Sequence, residues 1–134
     1  MMCIENNALI TDYLIQRISP YLIILFGSAA GGNLRKDSDI DIAFLSDRKF
    51  SAYDIFMIGQ GLADILGREV DLVDLNNAST VFQAQIISKG KVIHCSDKTK
   101  RMQFYMLTLK KYAKLNEERQ YIFNKLERRG IING

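Results

Sequence analysis

The sequence predicts a small α/β (α+β) fold, a mixed β-sheet flanked by helices, with a long helix at the C-terminal end. Three observations carry that expectation. Tyr21 to Phe26 is a short run of aromatic, β-branched and leucine residues ended by Gly27, the pattern of a fully buried strand. Ile40, Ile42 and Phe44 alternate with Asp39, Asp41 and Ala43, the period-2 signature of a second strand. Apolar residues at helical spacing occupy the segments on either side. A length of 134 residues fits one domain spanning 1–134.

The elements follow in order. Ala8, Leu9, Tyr13, Leu14 and Ile18 predict a first amphipathic helix over about residues 6–18, which Pro20 is expected to close. After the first strand, residues 29–38 mix small, glycine and charged types and read as a loop or short turn. Ile55, Phe56, Ile58, Leu62, Ala63 and Leu66 predict a second helix over 52–66, ended by Gly67. Val70 to Val73 is a short third strand. A short helix over 80–88 stops at Gly90, and Lys91 to His94 reads as an edge strand. Ser96 or Asp97 then caps a final helix of about 97–129.

Composition excludes more than it assigns. The longest apolar run is too short to cross a bilayer, and the N-terminus shows no basic stretch followed by an apolar one, so no leader is expected. Two cysteines, Cys3 and Cys95, cannot build a disulfide framework, which predicts the reducing cytoplasm. The net charge of +3 conceals an asymmetry. Residues 1–97 carry 12 acids against 8 Lys/Arg, whereas residues 98–134 carry 10 Lys/Arg against 3 acids. A solvated helix face is the first reading of that basic segment, ahead of nucleic acid.

The chemistry lies in Gly27-Ser28, a gap of ten residues, and Asp39-Ile40-Asp41. Side chains two apart on a strand share a face, so Asp39 and Asp41 point the same way. Two adjacent carboxylates repel unless a cation stands between them, and hard oxygen ligands suit Mg²⁺. The glycine lets a phosphate approach the backbone, while N–H groups and the Ser28 hydroxyl can donate to it. Asp71 supplies a third carboxylate from what reads as a neighbouring strand. Three acids and a phosphate-binding turn are the parts of two-metal nucleotidyl transfer, with Asp71 placed to take the proton of the attacking hydroxyl.

Gly27-Ser28 and Asp39-x-Asp41 at this spacing resemble the signature of the DNA polymerase β-like nucleotidyltransferases. Glu69 to Leu75, Ala78 to Val81 and Leu115 to Gln120 are similar to the minimal nucleotidyltransferase (MNT) antitoxins paired with HEPN-domain toxins. The resemblance spans about residues 6–126. It implies transfer of AMP from ATP to a tyrosine of the HEPN ribonuclease, with two Mg²⁺ ions on Asp39, Asp41 and Asp71. Gly27 and Ser28 would then hold the triphosphate. Many members of that family carry an arginine shortly after Gly-Ser; here the position is Gly31, with Arg35 and Lys36 in the same loop. Two other readings stay open: a module that neutralises its partner by occlusion alone, and a small-molecule nucleotidyltransferase. The chain offers little beyond the catalytic core to hold a small acceptor, which favours a protein.

Other residues draw structural readings. His94 stands alone apart from Cys95, without metal-ligand spacing. Asp74 is out of phase with Asp71 and is expected at a strand end, outside the catalysis. Gly59 and Gly61 suit close helix packing. Tyr105, Tyr112 and Tyr121, interleaved with lysines, fit packing on the domain or a partner better than a nucleic-acid surface.

Overall fold

In the structure, a computed structural model describing residues 4–27 and 39–130, helices and strands follow the predicted order. They are α1 (Ile4–Ile18), β1 (Pro20–Phe26), β2 (Ile40–Ser46), α2 (Ala52–Leu66), β3 (Val70–Asp74), α3 (Thr80–Lys89), β4 (Lys91–Cys95) and α4 (Lys98–Arg128). A 3₁₀ turn, Leu75–Asn77, follows β3 and was absent from the sequence expectation. Ser28, Gly31, Arg35, Lys36 and Cys3 lie outside the described residues.

The strands form one mixed sheet in the order β3-β2-β1-β4. β1 runs antiparallel to both β2 and β4, while β2 and β3 run parallel. The parallel pair requires a crossover, and α2 supplies it, packing back on β3. Each face of the sheet closes a separate core. Ile23, Leu25, Ile40, Ile42, Phe44 and Leu72 meet Ile10, Leu14 and Ile18 of α1 and Leu62 of α2. On the opposite face, Leu22, Ile24, Ala43 and Leu45 meet Leu75 and Ile86, with Phe104 and Tyr105 of α4 packed at the margin. Burial of β1 and β2 on both sides accounts for their unbroken apolar stretches.

Two local outcomes differ from expectation, in α1 and in α2. The end of α1 is not one of them: the helix stops at Ile18, ahead of Pro20 as expected, and Ser19, at φ 52°, turns the chain left-handed so that Pro20 opens β1. The Ser46 hydroxyl holds that turn, donating to the carbonyls of Ile18 (2.9 Å) and Ser19 (3.3 Å). The buried stripe of α1 is Ile10, Leu14 and Ile18, whereas Leu9 is 47% exposed. Phe56 of α2 also faces outward, 60% exposed.

Other expectations hold. Gly61 admits Tyr13, whose hydroxyl occupies the space a Cβ would need, and Gly59 sits in ordinary contact with Leu72. Asp97 caps α4, accepting from the Lys100 N–H at 3.0 Å. Thr108 is the one buried residue of α4; Tyr105 and Tyr112 are half-buried, whereas Tyr121 is exposed and does not make on this domain the packing expected of it. Among the described residues, no helix is long and apolar enough to cross a membrane.

Candidate active site

The register of the sheet assembles the site. β1 ends with Phe26 opposite Asp41 of β2, and Asp41 in turn stands opposite Asp71 of β3. Paired residues on neighbouring strands share a face, so Phe26, Asp41 and Asp71 form a row across three strands, with strands about 4.8 Å apart. Phe26 meets Phe82 of α3 edge-to-face, with ring centroids 5.6 Å apart. Asp39 immediately precedes β2, and the Ile40 N–H donates to the Glu69 carbonyl at 2.9 Å, tying the starts of β2 and β3 together. All three sequence-predicted carboxylates therefore gather at one end of the sheet.

Electrostatics records the crowding. Burial raises the Asp41 carboxyl above its ordinary value, and the negative charges of Asp71 and Asp39 raise it further. Asp39 and Asp71 themselves are exposed to solvent. Among the described residues, no three His, Cys, Asp or Glu side chains converge as a ready metal cage. The set still fits Mg²⁺, which takes one or two carboxylates and completes its shell with water and phosphate oxygens.

Gly27 follows β1 with φ 64°, a left-handed conformation, and packs directly on Asp41. A Cβ at this position would overlap Asp41 Oδ2. The glycine that the sequence offers as a phosphate approach is thus also the residue that leaves room for the central carboxylate. Ser28 falls outside the described residues.

Asp74 behaves as expected of a strand end. Its Oδ1 accepts from the Asn76 N–H and its Oδ2 from Asn77 Nδ2, each at 3.1 Å, capping the 3₁₀ turn. Burial raises its carboxyl, partly offset by the Asn76 hydrogen bond. His94 is half-buried in β4 opposite Ile23, and Cys95 is a free thiol. One feature escaped sequence reasoning. A groove of about 470 Å³ runs between α2 and β3, lined by Phe50, Ile55 and Phe56 on one side and by Asp71 and Asp74 on the other. The only signal for it was the breadth of the apolar surface on α2, wider than one buried face needs.

A strand ending in glycine, two acids opening the next strand and a third acid in register make up the candidate site, and the fold around it is that of a nucleotidyltransferase. Residues 9–99 match the family described as Polymerase beta, Nucleotidyltransferase, and the chain belongs to that family. Within it, the chain stands with the MNT antitoxins. It is 38% identical over 103 residues to the protein adenylyltransferase MntA of Shewanella oneidensis, covering 77% of this chain and 73% of that protein. A solved toxin–antitoxin structure with AMP-PNP superposes with a TM-score of 0.80 at 35% identity, over 90% of this chain and 98% of the other. A second, at 33% identity and TM-score 0.76, covers 91% of this chain and 96% of its own; it is a tri-AMPylated Shewanella oneidensis HEPN toxin in complex with MNT antitoxin.

Proposed function

We propose that this chain is an antitoxin that transfers AMP from ATP to a tyrosine hydroxyl of a HEPN-type ribonuclease and so silences it. The observation that carries the reading is the register of Asp41 with Asp71 beside Gly27, in a chain closely similar to protein adenylyltransferases along most of its length.

Each residue takes a part that its position supports. Gly27, with Ser28 after it, receives the triphosphate through backbone N–H groups beside the central carboxylate. Asp39, Asp41 and Asp71 would hold two Mg²⁺ ions, which supply charge neutralisation at the phosphates and activation of the hydroxyl. Asp71, exposed at the outer end of the row, accepts the phenolic proton. The tyrosine oxygen then bonds to the α-phosphorus, the bond from that phosphorus to the bridging oxygen breaks, and pyrophosphate leaves. ATP as donor and a free thiol at Cys95 fit the cytoplasm.

The test is direct. Purified chain, ATP, Mg²⁺ and the HEPN-type protein encoded beside it should give mass additions of AMP on the partner. Asp39→Asn combined with Asp41→Asn should abolish them. Modification that continues in the double variant would overturn the assignment of the acids. Protection of cells by the double variant at wild-type level would favour neutralisation by occlusion.

A further inference from the structure

We propose that the open edge of β3 receives the acceptor segment of the partner as an added extended strand, with its tyrosine on the Asp71 face. The inference deepens the adenylylation reading and rests on it.

Among the described residues, β3 is the last strand of the sheet on its side, paired only with β2. Such an edge presents backbone N–H and C=O groups to any extended chain that comes alongside. A strand laid on β3 projects successive side chains to opposite faces. The residue opposite Asp71 would extend the row of Phe26, Asp41 and Asp71 by one more strand spacing, about 4.8 Å. Its neighbours would point to the α2 side, where the groove of about 470 Å³ offers Phe50, Ile55 and Phe56. One register thereby brings a phenolic hydroxyl to the carboxylate face and buries adjacent side chains against an apolar wall.

Charge selects the occupant. Residues 51–77, which form α2, β3 and the turn after it, hold five acids (Asp54, Asp64, Glu69, Asp71 and Asp74) and one arginine, Arg68. A tyrosine flanked by basic side chains fits that edge; an acidic segment does not. The uncovered apolar surface lies on the same side, with Phe56 60% and Tyr53 68% exposed.

The decisive residue is Phe56, because it is exposed and can be changed without emptying the core. In steady-state AMP transfer to the HEPN-type protein encoded beside this chain, Phe56→Lys should raise the KM for that protein by about fivefold or more. The KM for ATP and kcat should stay within about twofold of wild type, and Phe56→Leu should restore the KM for the partner. Amide exchange of residues 70–74 should slow when the partner binds. An unchanged KM for the partner in Phe56→Lys, or amides at 70–74 that exchange equally fast in the complex, overturns the docking proposal while AMP transfer by the wild type upholds the reading beneath it. A rise in the KM for ATP alone overturns it too, by making the groove a nucleotide pocket. Slowed exchange at 70–74 in a complex that transfers no AMP upholds docking and overturns the adenylylation reading.

Discussion

Gly27 and Asp41 occupy mutually exclusive space for any residue but glycine: at φ 64° after β1, a Cβ on residue 27 would overlap Asp41 Oδ2. Gly27→Ala therefore strains the backbone and displaces the central carboxylate together. The left-handed conformation alone costs roughly 1–2 kcal/mol for a residue with a Cβ. The variant should melt several degrees lower, and its AMP transfer should fall at least tenfold, the larger effect being on rate. Thermal unfolding and single-turnover transfer, measured side by side, check both.

Asp41 makes the folded chain pH-sensitive in a definite direction. Burial and the charges of Asp71 and Asp39 raise its carboxyl in the folded state, so folding favours the protonated form. Its destabilising contribution is absent below the ordinary carboxylate range, where both states are protonated. It grows as pH rises through the folded-state value and is complete above it. Asp41→Asn should thus raise the melting temperature of the metal-free protein at neutral pH, and the advantage should shrink as pH falls toward 4. Mg²⁺ should stabilise the wild type more than the variant. Melting curves across pH, with and without Mg²⁺, decide it.

What the sequence disclosed and what it withheld follow from the range of the interactions involved. β1 and β2 were legible because burial on both faces leaves a local mark, a run of apolar residues from Tyr21 and alternation from Asp39. The three acids were legible because strand phase is local: two residues apart means one face. The pairing of Asp41 with Asp71 was not, since the register of two parallel strands is set by packing of the α2 crossover. The role of Ser19 was hidden for a similar reason. Pro20 marks the end of α1 locally, but the left-handed turn at Ser19 is held by Ser46, 27 residues away. The groove at the β3 edge left only the breadth of the apolar surface on α2 as a trace, because it is made by where α2 stands, and the outward side of Phe56 looks no different in sequence from an inward one.

Ser46 offers a test of that long-range tie. It is a buried hydroxyl, and besides donating to the Ile18 and Ser19 carbonyls it accepts from the Arg48 N–H at 3.1 Å. Ser46→Ala removes the hydroxyl and leaves the Ile18 carbonyl short of a donor, a loss of about 1–2 kcal/mol. The acids sit at the other end of β2, so AMP transfer at low temperature should match the wild type. Denaturant unfolding read with the transfer assay separates the two effects.

The long C-terminal helix divides at Thr108, its single buried residue. Before it, Phe104 and Tyr105 pack on the core that contains Leu22, Ile24 and Ile86. After it, Ile122 and Phe123 are exposed, at 57% and 43%. Truncating Phe104 removes apolar surface that is partly withdrawn from water, so Phe104→Ala should cost about 1–2 kcal/mol. Ile122→Ser removes nothing the folded chain has buried and should change stability by less than about 0.5 kcal/mol. The ion pair between Lys100 and Asp47, on exposed side chains, should likewise add little, and Lys100→Ala should leave the melting temperature nearly unchanged. Equal destabilisation by Phe104→Ala and Ile122→Ser in denaturant unfolding would mean that the far half of α4 is packed in solution; a loss confined to Phe104→Ala is the expected result.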